Sequence, residues 1–202
     1  MDEQVLQAMR RWPRVPACAG WLGLDARGQW WIRDAQALPW PRREDGALDK
    51  QGASRLLHEG LCAFVGRNYQ PDAQGCWYFQ NGPQQVYVEL EVAPLILRLQ
   101  VDGQGARWST HTGAHCEPRQ AWLDGRGRVW LGTQAGPGLL HSLDMVLLHS
   151  LDMVLLEPWL DDSLSSLRLP GGAALELQPL DAADIEESLG FRASPSASAR
   201  WS

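Results

Sequence analysis

The sequence predicts an α+β protein of two unequal repeated units, each a β-hairpin, a helix and further antiparallel strands. Three observations carry that expectation. In GWLGLDARGQWWIRD two apolar runs flank Asp25-Ala26-Arg27-Gly28, the composition of a hairpin loop with a glycine free to take positive φ. In QQVYVELEVAP the residues Val86, Val88, Leu90 and Val92 alternate with Tyr87, Glu89 and Glu91, so the first set is expected to face a core and the second water. Finally, Leu123 to Leu131 echoes Leu24 to Ile32 as L-D-x-R-G-x-x-W-[IL], Asp124 standing 99 positions after Asp25.

The remaining elements follow in order. QVLQAMRRW places Val5, Leu6, Met9 and Trp12 at helical spacing and stops at Pro13, giving a short N-terminal helix within residues 1–16. After the first hairpin, a polar, Pro-rich connection over 38–52 reads as a surface excursion. A helix is expected from Ser54, with Leu56, Leu57, Leu61, Phe64 and Val65 as its apolar stripe, ending near Asn68-Tyr69 before Pro71. Two strands around Asn81-Gly82 come next, and LILRLQVDG with ARWSTHTG completes a meander, so the first unit covers 17–118. The second unit, 119–190, holds the hairpin AWLDGRGRVWLGT, a helix-like stretch over 139–160, two short strands about Pro170-Gly171-Gly172 and a last helix from Asp181 to Leu189. The tail, 191–202, has the Ser- and Ala-rich composition of a disordered segment.

Within the second unit the octapeptide HSLDMVLL occurs twice without a difference, at 141–148 and 149–156. Eight helical residues turn through about 800°, so the apolar stripes of the copies do not superpose. Two copies also fall short of the three or more that a solenoid needs. The duplication therefore reads as a recent slippage or insertion that lengthens a helix or bulges into a loop, not as a ligand-binding array.

Composition sets the outer limits on function. The 202 residues carry 18 basic and 24 acidic side chains, net -6, which provides no basic field for a nucleic-acid backbone. No apolar run is long enough to span a membrane, and the acidic start MDEQ lacks the pattern of a secretory signal, so a cytoplasmic protein is expected. The 4 cysteines include no C-x-x-C pair and read as reduced thiols, and Lys50 is the single lysine.

Phosphate-loop, nucleophile-elbow and zincin motifs are absent. One set has metal-ligating chemistry: His111, His115 and Cys116, which needs a further ligand such as Cys76 or His58. The densest polar-aromatic stretch supplies Arg67, Asn68, Tyr69, Trp77, Tyr78 and Gln80, residue types that line small-molecule pockets. The same residues also suit plain packing and helix capping. Trp31 and Trp130, equivalent in the two hairpins, read as core plugs. Nothing specifies a general acid and base, and no cofactor is indicated.

The run RNYQPDAQGCWYFQNGPQQVYVELEVAPLILR, with GWLGLDARGQWWIRD before it and STHTG and AWLDGRGRVWL after it, resembles an uncharacterised bacterial family, a domain of unknown function. More distantly, the order of elements is similar to a second such family, whose fold of repeated β/α motifs implies repeated units here and a part in signal transduction. Neither resemblance supplies catalytic residues. The expected function is a binding module for a small molecule or a partner protein, in regulation or signalling. The alternatives are a metal-assisted hydrolytic enzyme on the histidine cluster, and a structural homo-oligomer with the 139–160 segment at its interface.

Overall fold

The computed structural model describes residues 1–34, 39–102, 105–145, 159–161, 163–169 and 174–195. The chain forms two compact units, Met1–Pro94 with Leu189–Ser202 and Leu95–Ser188. Each is built on a mixed β-sheet, and the helices are few and short.

The first unit contains α1 (Glu3–Arg11), β1 (Cys18–Leu24), β2 (Trp30–Arg33), β3 (Ala53–Arg55), α2 (Glu59–Arg67), β4 (Tyr69–Pro71), β5 (Trp77–Asn81) and β6 (Gln84–Leu90). Its strands lie in the order β3-β2-β1-β6-β5-β4, so α2 carries the chain from one edge of the sheet to the other. The second unit contains β7 (Leu95–Asp102), β8 (Gly105–Thr110), β9 (Pro118–Asp124), β10 (Val129–Thr133), β11 (Gly136–Leu140), β12 (Ser166–Arg168) and β13 (Ala174–Leu180). The helix α3 (Ile185–Leu189) follows. Strand order in this sheet is β12-β13-β9-β10-β11-β7-β8.

One pattern is common to both sheets. The run β3-β2-β1-β6-β5 has the same order and directions as β11-β10-β9-β13-β12, with a parallel joint at β1/β6 and at β9/β13. A bridge between Leu160 and Leu167 stands where β4 meets β5 in the first sheet. The expectation of further antiparallel strands is thus corrected at these joints: β6 turns back tightly from β5, but the long connection from β3 through α2 to β4 brings that hairpin to the free side of β1, where β6 lies parallel to it.

The hairpins share one construction. Asp25 N–H donates to Gln29 O (3.1 Å) and Gly28 N–H to Asp25 O (3.0 Å), while Oδ1 of Asp25 accepts the amides of Arg27 and Gln29, both at 2.9 Å. This is a type I turn closed by a bulge glycine at φ 77°. Asp124 repeats it with the amides of Arg126 (2.9 Å) and Arg128 (3.0 Å), as does Asp72 with those of Gln74 and Cys76 (both 2.9 Å). In the two repeated hairpins Oδ2 also accepts the indole N–H two residues into the return strand, Trp31 at 3.0 Å and Trp130 at 2.9 Å. A cation completes each set. Lys50 Nζ is 2.8 Å from Asp25 and 4.6 Å from the Trp31 ring centre, and Arg128 Nε is 2.7 Å from Asp124 with its guanidinium 5.5 Å from the Trp130 ring.

Several local expectations shift. The helix expected from Ser54 begins at Glu59, because Ala53–Arg55 pairs with β2 as an edge strand. Tyr87 and Glu89, expected to face water, are buried, Glu89 at 0% exposure. The reason is that β6 is an interior strand and that the chain after α3 returns to its end: Leu90 N–H donates to Ala193 O and Ser194 Oγ to Glu89 Oε1. Phe191 is 1% exposed, so residues 191–195, read from the sequence as the start of a disordered tail, are packed into the first unit. The turn about Pro170-Gly172 and all of the second octapeptide lie outside the described residues.

The start of the first octapeptide is anchored. His141 Nδ1 accepts the Leu143 amide (3.1 Å), and its own N–H donates to Leu97 O. Buried Asp144 accepts the Leu99 amide and Arg98 Nε, both at 2.9 Å. Deleting either octapeptide gives the same sequence, so a single-copy chain keeps this anchor whole. Its urea midpoint is expected to stay close to that of the full chain, while Asp144→Ala within it costs about 2 kcal/mol through the orphaned Leu99 amide.

For the hairpins, burial by itself raises the Asp25 and Asp124 carboxyls, but the hydrogen bonds from Lys50 and Trp31, and from Trp130 and Arg128, outweigh it and hold both below their ordinary value of 3.8. A carboxyl depressed on folding contributes stability above its unfolded pKa, and that contribution is lost as pH falls through the folded value. Asp124→Ala is expected to cost about 3 kcal/mol at pH 7. In Asp124→Asn the loss of stability between about pH 5 and pH 2 is expected to be shallower than in wild type, as urea unfolding at each pH will show.

Candidate functional site

An apolar cleft of about 240 Å³ lies in the first unit where α2 crosses the sheet. Its floor is two cross-strand pairs, Leu22 with Ile32 and Phe79 with Val86. Alternation along β1, β2, β5 and β6 points these side chains to the α2 face. Leu61 and Val65, one turn apart on α2, make the wall, and Trp21, Leu56 and Asn81 complete the lining. Phe64 of α2 meets Phe79 edge to face, with ring centres 5.5 Å apart, which fixes the helix over one end of the sheet.

The helix itself is held at both ends. His58 is the N-cap, its Nδ1 accepting the Leu61 amide at 3.2 Å. Glu59 in the first turn and Arg67 in the last suit the helix dipole. At nine residues α2 is too short to cover the whole sheet face, so apolar surface stays open: Leu61 is 40% exposed, and Trp21 and Ile32 are each 37% exposed. No ionisable side chain lines the cleft.

The residues expected from the sequence to form a site divide into three groups. Arg67 makes an exposed ion pair with Asp2 (3.1 Å), and Asn68 accepts the Asp2 amide (2.8 Å) and donates to Phe64 O (2.9 Å), which together pin the start of α1 to the end of α2. Tyr69 packs between Trp30, edge to face (5.1 Å), and Trp77, with rings tilted (4.8 Å), and donates its hydroxyl to Pro94 O. Loss of solvent pushes that hydroxyl well above its ordinary pKa. Gln80 is buried, its N–H on Asn68 O and its Nε2 on Gly82 O. Tyr78 turns to the opposite sheet face, with Tyr87, Cys76 and Ala19. The structure therefore joins Asn68 to Gln80 and Tyr69 to Trp77, and β5, which carries Trp77 and Gln80, also gives Phe79 and Asn81 to the cleft.

The structure does not bring the metal-alternative residues together. His111 sits in another Gly-closed turn, Thr110 to Ala114, where its Nδ1 accepts the Ile96 amide (3.2 Å). His115 is exposed beside Glu117, and Cys116 is fully buried, with desolvation pushing its thiol up to about 11. Consecutive residues of an extended chain point apart, and among the described residues no three His, Cys, Asp or Glu side chains converge on a metal position. Lys50, the single lysine, bridges Asp25 and Glu91 (3.9 Å) at the edge of a polar cavity, its charge matched by the two carboxylates.

A family model described as "Protein of unknown function (DUF2946)" matches residues 1–196. No curated protein matches the chain. Two solved structures are similar to it. A DUF1285 family protein from Silicibacter pomeroyi DSS-3 is 13% identical over 75% of this chain and 85% of that one, with a TM-score of 0.43. A DUF1285 family protein from Shewanella baltica OS155 is 16% identical over 67% of this chain and 92% of that one, with a TM-score of 0.40.

The helix-end residues separate by burial. Asn68→Ala is expected to lower stability by about 2 kcal/mol, since it orphans the Asp2 amide and Phe64 carbonyl. Arg67→Ala, which removes a solvent-screened pair, leaves the melting temperature essentially unchanged. Thermal melts of the two variants side by side check the ranking.

Proposed function

The chain belongs to the DUF2946 family of proteins of unknown function, and we propose that it is a binding module that takes a small apolar group into the cleft between α2 and the first sheet. The observation that carries this reading is an apolar hollow outside the core, with a tryptophan and an asparagine at its lining. Buried apolar surface supplies the affinity, and Asn81 offers the one side-chain amide able to orient a polar substituent. At about 240 Å³ the hollow is smaller than the roughly 300–1,000 Å³ usual for drug-sized ligands, so it suits a one- or two-ring aromatic group or a short alkyl chain. A lining without acids, bases or thiols favours recognition over turnover, in keeping with a role in regulation or signalling.

The shared strand order of the two sheets, with the Asp-Trp hydrogen bond at the same place in each, supports reading the two units as unequal copies of one ancestral β/α unit. On that reading β7 and β8 are an addition to the second copy.

Leu61→Trp fills the cleft from a position already exposed to solvent, so it is expected to remove binding and leave the fold intact. Titration of ¹⁵N-labelled protein with indole checks this. Wild-type shifts should gather at Trp21, Ile32, Leu61 and Asn81 and vanish in Leu61→Trp, while the melting temperature moves by no more than about 4 °C. Shifts that persist in the variant place the indole elsewhere and contradict the reading.

A further inference from the structure

The C-terminal segment Gly190–Pro195 is held to the first sheet by a small set of bonds. Arg192 N–H donates to Gly75 O at 2.9 Å, and Arg192 bridges Cys76 in parallel. Leu90 N–H donates to Ala193 O at 2.8 Å, and Ser194 Oγ donates to Glu89 Oε1 at 2.9 Å. The approach is close: a Cβ on Gly75 would lie 2.8 Å from Gly190 O, and Gly75 already needs φ 82°. The strap thus sits as a short extra strand where β5 stops short of the end of β6.

Beneath it lies a carboxyl that the fold handles poorly. Glu89 is 0% exposed, and its Oε2 has no hydrogen-bond partner among the described residues. The register with β1 puts Gly23 opposite it, so no side chain from that strand can help. The charged and titratable groups of the elements around it include Arg33 on β2, whose guanidinium lies over Trp40, Arg42 from the connection after β2, Arg192 from the strap, Cys76 beside β5, and Tyr87 and Glu91 on β6 itself. Arg42 spends its guanidinium on the carbonyls of Leu90, Glu91 and Gly46, and Glu91 accepts the amides of Ala26 and Leu48. Tyr87 donates to Asp72. Among the described residues, the one side-chain hydrogen bond to the Glu89 carboxyl therefore comes from the strap, through Ser194, beside the backbone amide of Trp40.

We propose that the segment Gly190–Pro195 is a releasable strap latched by the neutral Glu89 carboxyl, and that ionisation of Glu89 opens it. Ser194 of the strap lies against the buried Glu89 carboxyl, so lifting the strap is the movement that lets water reach a charge formed there. Opening uncovers the Leu90 amide and the end of β6, a short stretch of strand edge able to pair with an extended peptide. Burial raises the Glu89 carboxyl against the pull of Ser194, the Arg42 charge and the Trp40 amide, which agrees with this geometry. The sign is fixed: an acid whose pKa rises on folding favours the closed form below its unfolded value, and that preference is lost as pH rises through the folded value.

Amide hydrogen exchange on the full chain tests the latch, read at Leu90 and Arg192 between about pH 4 and pH 8 and corrected for the intrinsic pH dependence of exchange. Wild type is expected to lose at least about tenfold of its protection at both amides, with a midpoint that coincides with the titration of the Glu89 side-chain carboxyl carbon. Glu89→Gln should hold its protection flat. Ser194→Ala should lower protection at both ends of the range while Leu22 and Leu24 in β1 stay protected. Equal profiles in wild type and Glu89→Gln, or flat protection in wild type across the titration, overturn the proposal. Because the cleft is not involved, neither outcome bears on ligand binding there.

Discussion

Each unit depends on one carboxylate that performs two tasks. Asp25 and Asp124 close their turns through Oδ1 and reach the return strand through Oδ2, so a single buried side chain sets both the loop and the register of the hairpin. A tryptophan in the wrong register would point to the other sheet face and leave the carboxylate with an unmatched lone pair. The cation beside each pair neutralises a charge that burial alone would penalise. In the second unit it comes from the hairpin itself, Arg128, whereas in the first it arrives from the far end of the Pro-rich connection as Lys50. That difference gives the 38–52 stretch a structural purpose: it delivers the single lysine to Asp25 and lays Trp40 over Gly23, where a Cβ would come within 2.8 Å of the indole.

From the hairpin the rest of the first sheet follows. With β1 and β2 fixed, β3 adds at one edge and the chain must reach the other, which α2 accomplishes by crossing the face. A helix of nine residues cannot cover six strands, and the cleft is the uncovered remainder. Its apolar character comes from residues that strand alternation points to the covered face, and its openness comes from the shortness of the helix. The opposite end of the sheet has a comparable deficit, where β5 stops before β6 does, and there the chain closes the gap with its own C-terminal strap. The two gaps in one sheet are thus treated differently, one filled in cis and one left open.

The local features were legible and the distant ones were not. The Asp25-x-Arg-Gly turn could be read because its bonds run between residues four positions apart, and its echo at Asp124 followed from the same letters. The indole bond that explains why tryptophan recurs was not visible, since Trp31 reads equally well as a core plug. Leu56 and Leu57 fit the helical period, but β3 ends just before them because Ala53–Arg55 finds a partner in β2, a contact that spacing cannot report. Glu89 looked like a solvent-facing residue because the segment that buries it lies about 100 positions later. The cleft residues Trp21, Ile32 and Leu61 carry no polar signal in the sequence, whereas Arg67, Tyr69 and Gln80 do and spend that chemistry mostly inside the unit. One signal was available: an apolar stripe from Leu56 to Val65 wider than a helix of that length can bury.

The central claim, that the α2 cleft is a binding site, is tested most directly by a crystal of the protein soaked with 5-bromoindole, whose bromine is located by its anomalous signal. The account predicts a bromine peak between Trp21 and Leu61, above the Phe79-Val86 floor, and none in crystals of the Leu61→Trp variant. An empty wild-type cleft beside a peak at the polar cavity near Lys50 would contradict it.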